Sequence, residues 1–129
     1  MLFRSSPALG AFYNATVELG LSSQVTTFTC SDFSRTFQPN SAAGSDHAWG
    51  GHHIIMGGAV KGGKLYGSFP TLALGGPDDS DKNGRWIPTT SSSQYAATLA
   101  QWFGVASADL GYVLPSLGNF SKSNLGFLG

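Results

Sequence analysis

The apolar positions of this chain fall into two helical stripes and two short β-rich runs, separated by long stretches with no period. Over residues 7–20, Leu9, Phe12, Tyr13, Thr16 and Val17 recur at helical spacing, with Pro7 suited to a first turn and Gly20 to a stop. This predicts a helix with that stripe as its core face. A second stripe, Tyr95, Leu99, Trp102 and Phe103, predicts a helix over 91–103, with Ser91 to Ser93 as caps and Gly104 as terminator. A short helix over 107–114 follows, closed by Pro115, and the Gly- and Ser-rich tail from Ser116 reads as irregular.

Residues 24–30, Gln-Val-Thr-Thr-Phe-Thr-Cys, are rich in β-branched side chains and read as a strand, with Cys30 a small buried member of it. Residues 53–60 read as a second strand, where Gly57 and Gly58 let another segment approach the backbone. Gly62-Gly63 then turns the chain into a short return strand over 64–66, making a β-hairpin. Between the two main strands, 31–51 is a long loop of the kind that carries function. Residues 75–85 form a polar loop. Helix, strand, loop, strand, helix is an α/β order, and the sheet it allows is thin. No repeat or linker divides the chain, so residues 1–129 read as one segment.

Composition narrows the function classes. Charged residues are 11% and hydrophobic residues 41% of the 129, which is unlike a disordered chain. Seven basic against seven acidic residues leave no basic field for nucleic acid, so no nucleic-acid partner is expected. No apolar run is long enough for a membrane span. The first seven residues do not read as a signal peptide, so the chain as given reads as cytoplasmic. One cysteine excludes an internal disulfide framework and a Cys-rich zinc module.

The scarcity of charge makes one window informative. Asp32, Arg35, Asp46, His47, His52 and His53 crowd into the loop and its borders. Carboxylate and imidazole together suit a divalent metal such as zinc or manganese, and the ends of strands are where α/β sheets bind ligands. The plain alternative has Asp46 capping a turn, His52 on the surface and His53 satisfied in the core. Trp49 and Trp86 lie in Gly-rich loops, either packed there or presenting aromatic faces to a sugar or surface. Two partial motifs fail. Gly58 to Lys64 fits the start of a phosphate-binding loop, but Leu65 stands where Ser or Thr is needed and strand follows where a helix should. Asp79-Ser-Asp81-Lys-Asn83-Gly84 fits half a calcium loop, but Thr90 replaces the terminal Glu, leaving an Asp/Gly turn as the simpler reading.

Thr29-Cys-Ser-Asp32-Phe-Ser-Arg35-Thr36, Gly44-Ser-Asp46-His47-Ala-Trp49-Gly50-Gly-His52-His53, Gly57-Gly-Ala-Val-Lys-Gly-Gly63, Gly76-Pro77-Asp78-Asp79, Gln94-Tyr95-Ala96-Ala97-Thr98-Leu99 and Pro115-Ser-Leu-Gly118-Asn119-Phe120 stand in one order along the chain. That series resembles a bacterial family of sulfatase-like proteins built around a domain of unknown function, similar in design to the alkaline phosphatase and sulfatase superfamily. The family's members are longer, and the chain looks like their carboxy-terminal part, from about Leu9 to Phe127. The resemblance implies a partial α/β/α sandwich of the alkaline phosphatase-like type with two main helices. It implies a metal-dependent hydrolase of small phosphate or sulfate esters, often exported to the periplasm by the twin-arginine route. It assigns Asp32, Asp46 and His47 to a divalent metal (zinc, manganese or calcium), and Arg35 to a substrate oxyanion as a catalytic group. His52 and Trp49 become candidate substrate contacts. Phe33 stands where the superfamily often has His. The alkoxide nucleophile and further Asp ligands have no candidate here, so catalysis is expected to be incomplete in this chain alone. The alternative is a non-catalytic segment that self-associates to cover its open sheet edges, or binds a partner or ligand.

Overall fold

The computed structural model describes residues 2–129; Met1, part of the segment read as lacking a signal, lies outside them. The fold is mixed α/β. Helix α1 spans Leu2–Glu18, followed by strands β1 (Thr26–Phe28), β2 (Ser34–Arg35), β3 (His47–Ala48) and β4 (Ile55–Gly57), then α2 (Ser92–Phe103) and α3 (Leu110–Val113). Short 3₁₀ turns at Ser107–Asp109 and Pro115–Asn119 flank α3, so the tail expected to be irregular opens with a turn of helix.

Strong local signals fold as the sequence predicts. Gly20 adopts φ 70°, and its N–H bonds Val17 O while the Leu21 N–H bonds Thr16 O at 2.8 Å, a Schellman closure of α1. Helix α1 nevertheless starts at Leu2, with Pro7 inside it rather than in its first turn. At α2, the Ser91 hydroxyl accepts the Ser93 N–H and the Gln94 side chain accepts the Ser91 N–H, forming a capping box. Gly104, at φ 112°, ends that helix.

The sheet is smaller than the pattern suggests. Strands β1 and β4 pair antiparallel in the register Thr26–Gly57, Thr27–Met56 and Phe28–Ile55. Strands β2 and β3 form a separate antiparallel pair, Ser34 with Ala48 and Arg35 with His47, inside the stretch expected to be a loop. The expected return strand over 64–66 does not form. Val60 instead makes a single bridge to Leu128, so the carboxy-terminal tail takes the place of that hairpin arm. Gly58 permits the approach foreseen for it: a Cβ there would lie 2.8 Å from Ser22 O, which accepts the Gly58 N–H.

Burial concentrates in the carboxy-terminal half. Ala97, Leu110 and Leu117 form a cluster, backed by Ala100, Val105 and Leu114. Phe127 is fully buried, within ring contact of Tyr66 and Tyr95. The amino-terminal half is thinly covered. Of the α1 stripe only Thr16 is buried, while Phe12 and Val17 are each 50% exposed, because α1 has no extensive packing against another element. Cys30 is exposed rather than a buried strand residue, since β1 ends at Phe28.

Two polar side chains stitch the loops together. The Asp79 carboxylate accepts N–H groups from Gly75 at 2.9 Å, Gly84 at 3.1 Å, Arg85 at 3.1 Å and Asp81 at 3.4 Å. Desolvation alone would raise its pKa, but these four donors outweigh it and hold the acid below 3.8. The half-motif over 79–84 is therefore an Asp-centred turn whose oxygens are already engaged; Asp81 pairs with Arg85 beside it. On α2, the Tyr95 hydroxyl donates to Thr29 O at 3.0 Å, joining the helix to the end of β1. Burial, with the nearby Cys30 thiol, pushes the Tyr95 phenol up to about 12.

Both groups give pH signatures. A carboxylate depressed in the folded state stabilises above the unfolded value and loses that effect as pH falls through the folded one. Asp79→Asn is therefore less stable than the parent at neutral pH, and the gap closes well below pH 3.8; urea unfolding at both pH values measures it. A phenol raised from 10.0 to about 12 has the opposite sense, so its contribution fades as pH rises across that interval. Tyr95→Phe loses about 1 kcal/mol at neutral pH, and its stability falls less steeply than the parent's in alkaline urea titrations.

Candidate functional site

The antiparallel register of β1 and β4 decides which polar residues meet. Because Phe28 faces Ile55, the residues just after β1 lie beside those just before β4. The Thr29 N–H bonds Ile54 O at 3.0 Å, and the Thr29 hydroxyl accepts the Ile54 N–H at 2.9 Å, extending the pairing past the strands. This brings Asp32, His52 and His53 to one end of the sheet. There they line a cleft of about 770 Å³, whose other walls are the 62–70 loop and the start of α2.

Within the cleft the two imidazoles differ. The His53 ring stacks on Tyr95 at 5.3 Å, and its Nδ1 lies 3.5 Å from the Thr29 hydroxyl. It is exposed, not the core histidine of the plain reading. The His52 ring stacks on Phe69 at 4.8 Å. Asp32, His52 and Lys64 all reach the cleft, and among the described residues no hydrogen bond within the chain occupies their side chains. The cleft thus offers a carboxylate, an ammonium and an imidazole to a ligand, groups able to accept, donate or exchange a proton.

Arg35, Asp46 and His47 do not line that cleft. They belong to the β2–β3 arm, where each already has work to do. The Arg35 guanidinium donates to Ser45 O at 3.0 Å and sits over the Phe33 ring at 5.1 Å. The Asp46 carboxylate accepts from the Asn40 amide at 2.8 Å, holding the 36–46 turn together. The His47 ring packs on Phe33 at 4.4 Å, and its carbonyl accepts the Arg85 Nε–H at 3.1 Å. Among the described residues no three His, Cys, Asp or Glu side chains gather closely enough to hold a metal ion. The residues present therefore do not make a complete metal site.

Trp49 and Trp86 part company. Trp86 is buried, 7% exposed, edge-on to Phe37 at 5.9 Å. Both reach the cleft, but Trp49 is 59% exposed on its wall. The cleft residues that sequence reasoning passed over are Tyr95, assigned wholly to an apolar stripe, and Lys64, Tyr66 and Phe69, assigned to a strand and an unmarked loop. An aromatic with a polar tip on a helix face facing a β-rich run was the available signal for Tyr95.

No curated protein and no solved structure matches this chain. Residues 6–81, more than half of its length, match the family described as "Protein of unknown function (DUF1501)". That segment carries most of α1, all four strands, and the Asp32 and His52 wall of the cleft, while α2 and the tail follow it. The chain therefore belongs to the DUF1501 family of proteins of unknown function.

Proposed function

We propose that this chain works in association with a second copy of itself, and that the associated form carries out part of the chemistry of a phosphate- or sulfate-ester hydrolase. The observation that carries the reading is exposed surface. The chain exposes 8697 Å², about a third more than the roughly 6,500 Å² of a folded monomer this size. Phe12, Val17 and Leu19 lie uncovered on and just after α1, and both two-stranded sheets leave their strand edges open. Such surface rarely stays bare. The excess exceeds the roughly 800 Å² per partner of a standard interface and suits an obligate homodimer. A net charge of zero removes like-charge repulsion between copies.

The hydrolase part rests on Asp32 and His52 in an open cleft, together with the sulfatase-like motif order. In the same reading the small sheets are pieces of an α/β/α sandwich of the alkaline phosphatase-like type. Export by the twin-arginine route belongs to it as well. In this reading Asp32 is the carboxylate that the cleft offers to a divalent cation, and the cleft residues do not complete a metal site. Among the described residues no helix is long and apolar enough to cross a membrane.

Sedimentation of the folded protein, paired with release of nitrophenol from its phosphate and sulfate esters in added zinc, manganese or calcium, tests both parts. Association is expected at micromolar concentration. The pair Phe12→Glu and Val17→Glu should weaken it by at least about tenfold. Turnover that Asp32→Ala abolishes without changing association supports the hydrolase. Association without turnover leaves a non-catalytic self-associating segment, and a folded protein that stays monomeric overturns the proposal.

A further inference from the structure

We infer that the cleft binds a saccharide, with one sugar ring stacked on the exposed face of Trp49. The indole is 59% exposed although its backbone is fixed on both sides. Before it, β3 is paired to β2 and Ala48 is buried at 3% exposed. After it, the Gly50 N–H bonds Trp86 O at 2.9 Å, and a Cβ on Gly50 would lie only 2.8 Å from that oxygen. With Ala48 buried on one side and Gly50 held against Trp86 on the other, the bend at Trp49 leaves its ring outward. Its exposure is therefore built into the segment and does not come from a loose loop. A rigid aromatic with few rotatable bonds loses little entropy when a ligand covers it.

The surroundings select among ligands. The cleft volume of about 770 Å³ lies within the range of small-molecule sites. Phe69, with the His52 ring stacked on it, adds a second aromatic surface. The same cleft is lined by Asp32 and Lys64, of opposite charge, and by the His52 imidazole. A wholly apolar ligand would strip water from those groups without replacing their hydrogen bonds. A pyranose ring has an apolar C–H face and a rim of hydroxyls that both donate and accept, which matches flat aromatics beside Asp32, His52 and Lys64. Binding of this kind breaks no bond and needs no metal, so it stands apart from the hydrolase proposal.

Titration of the full chain with cellohexaose, chitohexaose and maltohexaose, in the presence of a chelator, tests the inference through tryptophan fluorescence and calorimetry. Saturable binding of at least one of the three is expected. Trp49→Ala should weaken it by at least about tenfold, Trp49→Phe should retain part of it, and Trp102→Phe, on α2 outside the cleft, should leave it unchanged. No saturable binding to any of the three overturns the inference. So does equal affinity in the parent and in Trp49→Ala, and circular dichroism of each variant separates lost binding from lost fold.

Discussion

A chain with so little regular structure must satisfy its backbone N–H and C=O groups by other means, and that requirement organises this molecule. Threonine hydroxyls recur as the solution. Thr98, almost fully buried on α2, donates to Gln94 O and accepts the Leu125 N–H, anchoring the tail to the helix. Thr36 donates to Gln38 O and accepts the Asp46 N–H, closing the β2–β3 arm. Thr29 accepts the Ile54 N–H beyond the last strand pair. Asp79 does the same with four donors at once. Each such group gives a backbone N–H a side-chain acceptor where regular structure supplies none.

What was legible in the sequence is what depends on neighbours along the chain. Ser91 with Gln94, Gly104 and Gly20 act within one turn of helix, so their residue types state their roles. The β-branched runs containing Thr26–Phe28 and Ile55–Gly57 were also legible, though longer than the strands that form. The β2–β3 pair was hidden, because Ser34-Arg35 and His47-Ala48 are too short to show a two-residue period. The return strand at 64–66 was lost to competition: Leu128, far along the chain, bridges Val60. Exposure of Cys30 and of the α1 stripe follows from what does not cover them, which periodicity cannot report.

The candidate site repeats that lesson. Asp32, Arg35, Asp46, His47 and His52 crowd together in sequence, but two different strand pairings sort them. The β1–β4 register carries 52–53 toward 29–32, whereas β2–β3 folds 46–47 against Phe33 and Arg35. Sequence proximity joined residues that the register separates. Within the arm, hydrogen bonding and stacking give Arg35, Asp46 and His47 structural tasks, while Asp32 and His52 keep their polar atoms free toward the cleft.

The exposed apolar side chains carry two different meanings, and shape distinguishes them. Phe12 and Val17 lie on a convex helix with Leu19 just beyond it, a surface that only another extended macromolecular face can cover efficiently. Trp49 and Phe69 line a concavity with polar groups among them, where a small molecule can touch several walls at once. Covering α1 would relieve the excess surface without filling the cleft. Filling the cleft would leave α1 bare. The fold therefore makes two separable demands on its surroundings, and the pinned segment from His47 to Gly50 rigidifies one of them independently of the other.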